Sequence, residues 1–292
     1  MTMPVLTFGI PVYNGEKYLP DALHSIQEQD LDDLEIIISD NGSTDGTQEI
    51  CEAAAASDDR VLYLRHDTNR GGAWNYVRTV ESASSPLFSW QAADDVKLAT
   101  FASACVQALD DAGPEAVFAC PRTQLIGADG VVFEDLDDRD LGLGAQTPHE
   151  RVHNLFRSQA SHVMYGVVRM SAMRRSRGLL PLVGDDMVLL VELLCQGKMA
   201  LVDDQLFWQR RHAEQFSQQG ENQVKWHAPN GGVRFAFPQT RLNFELHRAV
   251  TRSHISIPEK ARSLAALESR WVIPRWRGMG SDVRTALGVA RA

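Results

Sequence analysis

Residues 87–95 read LFSWQAADD, an apolar run that closes on two adjacent carboxylates, Asp94 and Asp95. A run of this kind, with Pro86 before it and acids after it, reads as a buried strand whose C-terminal tip opens into a crevice. Carboxylates at the carboxyl end of a strand in an open α/β sheet lie where such sheets bind ligands. Hard oxygen donors there suit Mg²⁺ or Mn²⁺ carrying a diphosphate. Asp94 also suits the cap of a following helix, and the residues alone leave both roles open. A second acidic pair, Asp185 and Asp186, follows Gly184 and opens a helical pattern over residues 187–195. Carboxylates in a first turn stabilise the positive end of a helix by roughly 0.3 to 1 kcal/mol, which accounts for Asp185 without chemistry.

The elements that must position these residues alternate between two periods. Apolar strands are expected at 5–10, 35–39, 61–65 and 87–91. Helical patterns are expected between them at 16–29, 46–57 and 72–82. Strands alternating with helices mean βαβ units and a mostly parallel sheet, which puts all strand tips on one edge. Those tips are polar: Pro11, Val12, Tyr13 and Asn14; the run from Asp40 through Asn41, Gly42, Ser43, Thr44, Asp45 and Gly46 to Thr47; Asn69, Arg70, Gly71 and Gly72; then Asp94 and Asp95. One such tip is explained by a turn or a cap. Four in succession point to a ligand-binding rim.

The second half reads as a helix at 98–111, a strand at 116–120, and a hairpin over 125–133 turning at Asp129-Gly130. Residues 134–140 carry five acids in seven positions without apolar periodicity, and are expected to form a solvated loop. A helix at 148–158 and a strand at 163–169 follow. Residues 206–211, LFWQRR, then lead into His212.

Composition bounds the rest. The chain has 292 residues, 44% hydrophobic and 23% charged, with a net charge of −9 and a pI near 5.5. These values suit an ordinary globular protein and argue against nucleic acid as a partner. The charge is uneven, since residues 225–292 hold twelve Lys and Arg against four Asp and Glu. Cys51, Cys105, Cys120 and Cys195 are scattered without metal-ligand spacing, which fits a reducing, cytoplasmic setting. Neither a signal peptide nor a transmembrane span is expected. In the tail, Ser256 and Glu259 read as a capping box opening a helix to about Val272, with Pro274 ending it. Arg270, Trp271, Arg275, Trp276 and Arg277 around that end suit an interfacial helix in peripheral contact with the inner face of a membrane, and equally a lid that packs Trp on the core.

The runs PVYN (residues 11–14) and DNGSTDGT (residues 40–47), the Asn69-Arg70-Gly71 turn and the Asp94-Asp95 tip together resemble the GT-A glycosyltransferases of family 2. The resemblance covers roughly residues 4–217, and the Asp40 run is its most specific part. It implies an α/β GT-A-type fold of the nucleotide-diphospho-sugar transferases, a mostly parallel central sheet with flanking helices, here with a helical C-terminal extension. It implies a nucleotide-diphospho-sugar donor, a hydroxyl acceptor (glycan, lipid-linked sugar or small natural product), a divalent metal (Mn or Mg) and inversion.

By that resemblance Asp40 holds the base or ribose, Pro11 and Tyr13 shape the nucleoside pocket, and Asn14, Asn69 and Gly71 belong to the same rim. Asp94 and Asp95 hold the metal with help from His212. Asp186 is the catalytic base, with Asp185 as the fallback. Arg210 and Arg211 are candidate diphosphate clamps, because a guanidinium matches phosphate geometry. Residues 1–224 form the transferase domain, with a nucleotide-binding half at 1–97 and an acceptor half at 98–224. Residues 225–292 form the extension.

One departure stands out. The family's usual carboxylate two places before the residue matching Asp94 is Ala92 here. Ala92 suggests a second reading, an inactive sugar-nucleotide-binding protein. A nucleotidyltransferase would use the same acidic tip, but would ordinarily want a basic Gly-rich loop after the first strand, and none is visible.

Overall fold

The computed structural model describes residues 3–213 and 238–278 together with Asp282. The first half follows the alternating pattern: β1 (Leu6–Val12), α1 (Leu19–Gln27), β2 (Leu34–Asp40), α2 (Thr47–Ser57), β3 (Val61–Arg65), α3 (Gly72–Ser82) and β4 (Leu87–Trp90). Then come β5 (Val96–Lys97), α4 (Phe101–Ala112), β6 (Ala116–Ile126), β7 (Val132–Asp135), α5 (Pro148–Ser158), β8 (Val167–Arg169), α6 (Met170–Met173), α7 (Asp185–Gln196) and β9 (Lys198–Arg210). The extension contributes α8 (Pro238–Arg252) and α9 (Ile257–Leu267).

Among the described residues nine strands form one sheet in the order β3-β2-β1-β4-β8-β6-β9-β5, with β7 on β6. The first four are mutually parallel, β8 runs against β4 and β6, and β9 runs parallel to β6. β5 pairs with β9 although only residues 91–95 separate it from β4. Four strand spacings across a flat sheet amount to about 19 Å. The connecting segment is folded, the Asp95 N–H donating to the Ala92 carbonyl at 3.3 Å, and cannot span that distance. The sheet therefore curls, and brings its last strands back beside the tip of β4. Helices cover both faces. At the centre of β1, a Cβ on Gly9 would lie 2.6 Å from both Phe88 and Thr79, so this crossing needs glycine.

Four expectations change. The hairpin after β6 turns through Ala128 and Asp129, the Gly130 N–H reaching the Gly127 carbonyl at 3.0 Å, and Gly130 takes φ 80° to rejoin the ladder. The 134–140 stretch is not wholly solvated. Asp138 is buried, accepts the Thr123 N–H at 2.7 Å and meets His162 Nε2 at 2.9 Å. The strand expected at 163–169 shortens to β8, because the His162 contact draws Ser161–Tyr165 into a 3-10 turn. β9 begins at Lys198, its first half hidden in the sequence by Asp203 and Asp204.

The described helices of the extension share the main core. α8 buries Leu242, Leu246, Ala249 and Val250 beside α7, and Trp271, just beyond α9, packs on Phe156 of α5. Ser256 caps α9 as expected, but the Glu259 carboxylate turns to His149 of α5, 2.8 Å away. Arg177 joins the extension to the body by bridging Glu192 of α7 and Glu245 of α8, with all three side chains less than a fifth exposed. Arg177→Ala leaves two buried carboxylates uncompensated and is expected to remove about 3 kcal/mol of stability in urea denaturation. A loss under about 1 kcal/mol, the range of a surface pair, would show that the network does not hold α8.

Candidate active site

The tips of β1 and β2 are stitched together by side chains that cap each other's loops. Register places Val12 beside Asp40 and Asp40 beside Arg65. Asp40 is fully buried; Oδ1 accepts the Ser43 N–H at 2.8 Å, and Oδ2 accepts the Tyr63 hydroxyl at 2.9 Å and the Arg65 guanidinium. The carboxylate thus fixes the loop and the orientation of Arg65. Asn14, at φ 52°, donates its N–H to Ser43 Oγ at 2.9 Å, and its Oδ1 accepts the Thr44 N–H at 2.8 Å. Asn69 Oδ1 accepts the Gly71 N–H and Asn41 Nδ2, each at 2.9 Å, which shapes the turn into α3. Pro11 is buried in β1, whereas Tyr13 is 47% exposed and presents a ring at the rim. Pro11, Asn14, Asn69 and Gly71 therefore shape the rim from within. Tyr63 and Arg65 were missed by the sequence reading; their signal is the period-2 alternation along β3, beside a strand that ends in Asp40.

At the acidic tip the turn after β4 sends the two carboxylates in opposite directions. Asp94 lies toward the rim, its Oδ2 2.9 Å from His212 Nε2. Asp95 is 2% exposed and accepts the Arg210 N–H at 2.8 Å. Burial and the charge of Asp94 push its carboxyl well above the usual range. The expectation of Asp95 as a metal ligand is corrected on this ground, since the turn points it inward as a structural group. Arg210 is likewise corrected as a diphosphate clamp. Its buried guanidinium donates from Nε to the Asp94 carbonyl at 2.7 Å and from NH2 to Asp21 at 3.1 Å, and lies 4.8 Å from the Tyr18 ring. Arg211 is partly exposed, bonded to Gln209 Oε1 at 2.9 Å, and is the guanidinium left at the rim.

Among the described residues no group of three or more His, Cys, Asp or Glu is placed to hold a metal ion. The Asp94 and His212 pair nonetheless fits a divalent cation that completes its sphere on a diphosphate. One carboxylate and one imidazole are a mixed donor set that Mn²⁺ accepts, and such sites commonly use one or two protein ligands beside phosphate oxygens. His212 Nδ1 is buried without a hydrogen-bond partner, so the ring is held by packing on Tyr18, 4.7 Å between centroids.

The second acidic pair opens α7 after Gly184, which sits at φ 88° with Leu242 of α8 against it. Asp185 is 8% exposed; Oδ1 accepts the Asp186 N–H at 3.1 Å, and Oδ2 is buried without a partner. Asp186 is less covered and accepts the Met187 N–H at 2.8 Å. Burial raises both carboxyls, and the neighbouring Asp186 charge lifts Asp185 further. The hydroxyls of Tyr76 and Tyr165 are 3.1 Å apart. Burial pushes Tyr76 up; the Tyr165 hydrogen bond offsets part of this, and the charges of Asp94, Asp95 and Asp185 add to it. Both acid pairs thus act on one buried hydroxyl. Neither tyrosine was singled out from the sequence, because nothing in its spacing pairs residue 76 with residue 165.

Comparison with known proteins agrees with this arrangement. The family model for Glycosyl transferase family 2 matches residues 7–176. A β-1,3-glucosyltransferase of Campylobacter jejuni acting on GalNAc(5)-diNAcBac-PP-undecaprenol is 34% identical over 106 residues, 36% of this chain and 34% of that protein. The abequosyltransferase RfbV of Salmonella typhimurium is 32% identical over 123 residues, 41% of this chain and 36% of that protein. These matches span about a third of each relative's length. S. aureus TarS 1-349 in complex with UDP superposes with a TM-score of 0.65 at 13% identity, covering 93% of this chain and 74% of that one. The mannosyltransferase PcManGT from Pyrobaculum calidifontis, in complex with GDP-Man and Mn²⁺, gives 0.52 at 16% identity, covering 99% and 88%. The fold is that of the GT-A glycosyltransferases, and with more than half of its length matched by the family model, the chain belongs to glycosyl transferase family 2.

Proposed function

We propose that this glycosyltransferase moves a sugar from a nucleotide-diphospho-sugar to an acceptor hydroxyl with inversion at the anomeric carbon. The observation that carries the reading is the presence of two unlike acid sites: one carboxylate partnered by an imidazole, Asp94 with His212 at 2.9 Å, and a second pair, Asp185 and Asp186, in the first turn of α7. The UDP and GDP-Man complexes of the solved neighbours support a nucleoside-diphosphate donor. In this reading the nucleoside lies across the tips of β1 and β2, on the loop that Asp40 holds, with Tyr13 at the base and Arg211 toward the diphosphate.

Asp94 and His212 would hold a divalent metal, whose charge offsets that developing on the departing diphosphate. Asp186 accepts the proton of the acceptor hydroxyl. The acceptor oxygen bonds to the anomeric carbon as the bond to the diphosphate breaks on the opposite face, and nucleoside diphosphate leaves. Burial makes Asp186 a stronger base than an exposed carboxylate. The acceptor is a hydroxyl of a glycan, a lipid-linked sugar or a small natural product.

A thermal-shift panel of UDP and GDP with and without Mn²⁺ tests donor and metal together, because a ligand at a hundredfold its dissociation constant adds about 2.7 kcal/mol. Asp94→Asn and His212→Ala are expected to lose the Mn²⁺-dependent part of the shift while keeping the rest. An undiminished Mn²⁺ effect in both would move the metal elsewhere.

Asp186→Asn keeps volume and polarity, so nucleotide binding should persist while kcat falls by about 10² to 10⁴. The base must be unprotonated to act, and its pKa is raised from 3.8, so the acid limb of kcat/KM in the parent enzyme should fall above that value. Normal turnover in Asp186→Asn with collapsed turnover in folded Asp185→Asn would transfer the role to Asp185.

Asp40→Ala should weaken nucleotide binding and also lower the melting temperature, because Ser43, Tyr63 and Arg65 lose their shared partner. Unchanged affinity by calorimetry would end its part in the donor site.

A further inference from the structure

The end of the extension splits its two tryptophans between opposite environments. Trp271 is buried on Phe156, and the Arg275 guanidinium lies 3.6 Å from its ring while donating to Gln159, which caps the C-terminal end of α5, at 2.9 Å. This clamp ties the end of the helical segment to α5. After a π turn over Glu268–Val272 the chain tightens into a 3-10 turn, Ile273–Arg275, that contains Pro274. Ile273 and Trp276 are each 61% exposed, flanked by exposed Pro274, Arg270 and Arg277, with the Arg277 guanidinium 5.6 Å from the Trp276 ring. A large apolar pair held out of the core on a rigid turn and ringed by guanidinium groups does nothing for folding. It has the chemistry of an interfacial anchor, apolar side chains for the acyl boundary and cations for phosphate headgroups.

We propose that residues 270–277 dock this protein onto an anionic lipid surface. The choice of partner rests on charge. Described residues 238–278 hold eight Lys and Arg against three Asp and Glu, while the chain as a whole stands at −9. Screening over a Debye length of about 10 Å gives the nearest cations the largest weight in the attraction. Among the described residues no helix is long and apolar enough to cross a membrane, so the contact is peripheral. Trp271 packs on the core, and Trp276 is left for the surface.

The test is co-sedimentation of the full chain with vesicles of phosphatidylcholine containing about 30% phosphatidylglycerol, against phosphatidylcholine alone, at about 0.05 and 0.5 M NaCl. Binding is expected on anionic vesicles at low salt only. Each cation near such a surface is worth about fivefold, so Arg270→Gln/Arg277→Gln should weaken binding roughly 25-fold. Ile273→Ala/Trp276→Ala should weaken it at least about tenfold. All four side chains are exposed, so unchanged melting curves establish that both variants remain folded. No binding to anionic vesicles, equal binding to neutral ones, or retention by folded Ile273→Ala/Trp276→Ala overturns the proposal. Self-association without lipid that this variant abolishes also overturns it, assigning the patch to a second copy of the chain.

Discussion

The buried guanidinium of Arg210 holds together the part of the molecule where three otherwise distant segments meet. Its backbone N–H closes on Asp95, its Nε on the Asp94 carbonyl, its NH2 on Asp21 beyond the start of α1, and its plane lies against Tyr18. A guanidinium suits this task because it presents donors in several fixed directions and tolerates stacking, which an ammonium group does not match. The arrangement fixes the distance between β9 and the turn after β4. That distance places His212, two residues beyond Arg210, on the Asp94 carboxylate. The same contacts use up the charge of Arg210, so the strand end supplies one structural arginine and leaves Arg211 free for the rim.

This tie is possible only because the sheet curls. β5 leaves the tip of β4 and pairs with β9, so the last strand of the sheet closes against the tip of its parallel half. Inside the curl lies Lys97, fully buried, whose ammonium donates to Ser89 Oγ at 2.7 Å and to the Trp90 carbonyl at 2.6 Å, amid the rings of Phe8, Phe101 and Phe207. Burial brings its pKa down to about 7. Hydrogen bonds and ring faces offset part of the desolvation of a cation this deep. Both halves lie on one sheet, so the tip of β4 that carries Asp94 and the strand end that leads into His212 are held by a continuous ladder.

The parallel half was legible because each strand there is a continuous apolar run and each tip carries polar residues, so period and punctuation agree. The second half was less so. β9 hides its start behind Asp203 and Asp204, and α8 went unread for lack of caps and of a strong apolar run. At the site, the residue types of the two acid pairs could be read from the chain, but their directions could not. Which of two adjacent carboxylates faces inward depends on a turn of four residues, and Arg210 and Arg211 divide their roles by the strand pleat. Tyr76 and Tyr165 carry no local signal, since only the crossing of α3 with the segment before β8 brings them together. Asp138 read as one acid in a solvated run, because its partner His162 lies just before the strand expected at 163–169 and carried no signal of its own.

The extension bears on the chemistry through α7. Two carboxylates in a first turn meet opposing influences, the helix dipole favouring their charge and burial disfavouring it. For Asp185 and Asp186 burial wins, as both carboxyls stand above their usual range. The extension packs directly against the start of this helix. Leu242 of α8 packs on Gly184, whose φ of 88° leaves no room for a side chain. Arg177 holds α8 in place by a contact with Glu192, two turns further along the same α7. The helix that carries the proposed base is therefore held at both points by residues more than fifty positions downstream.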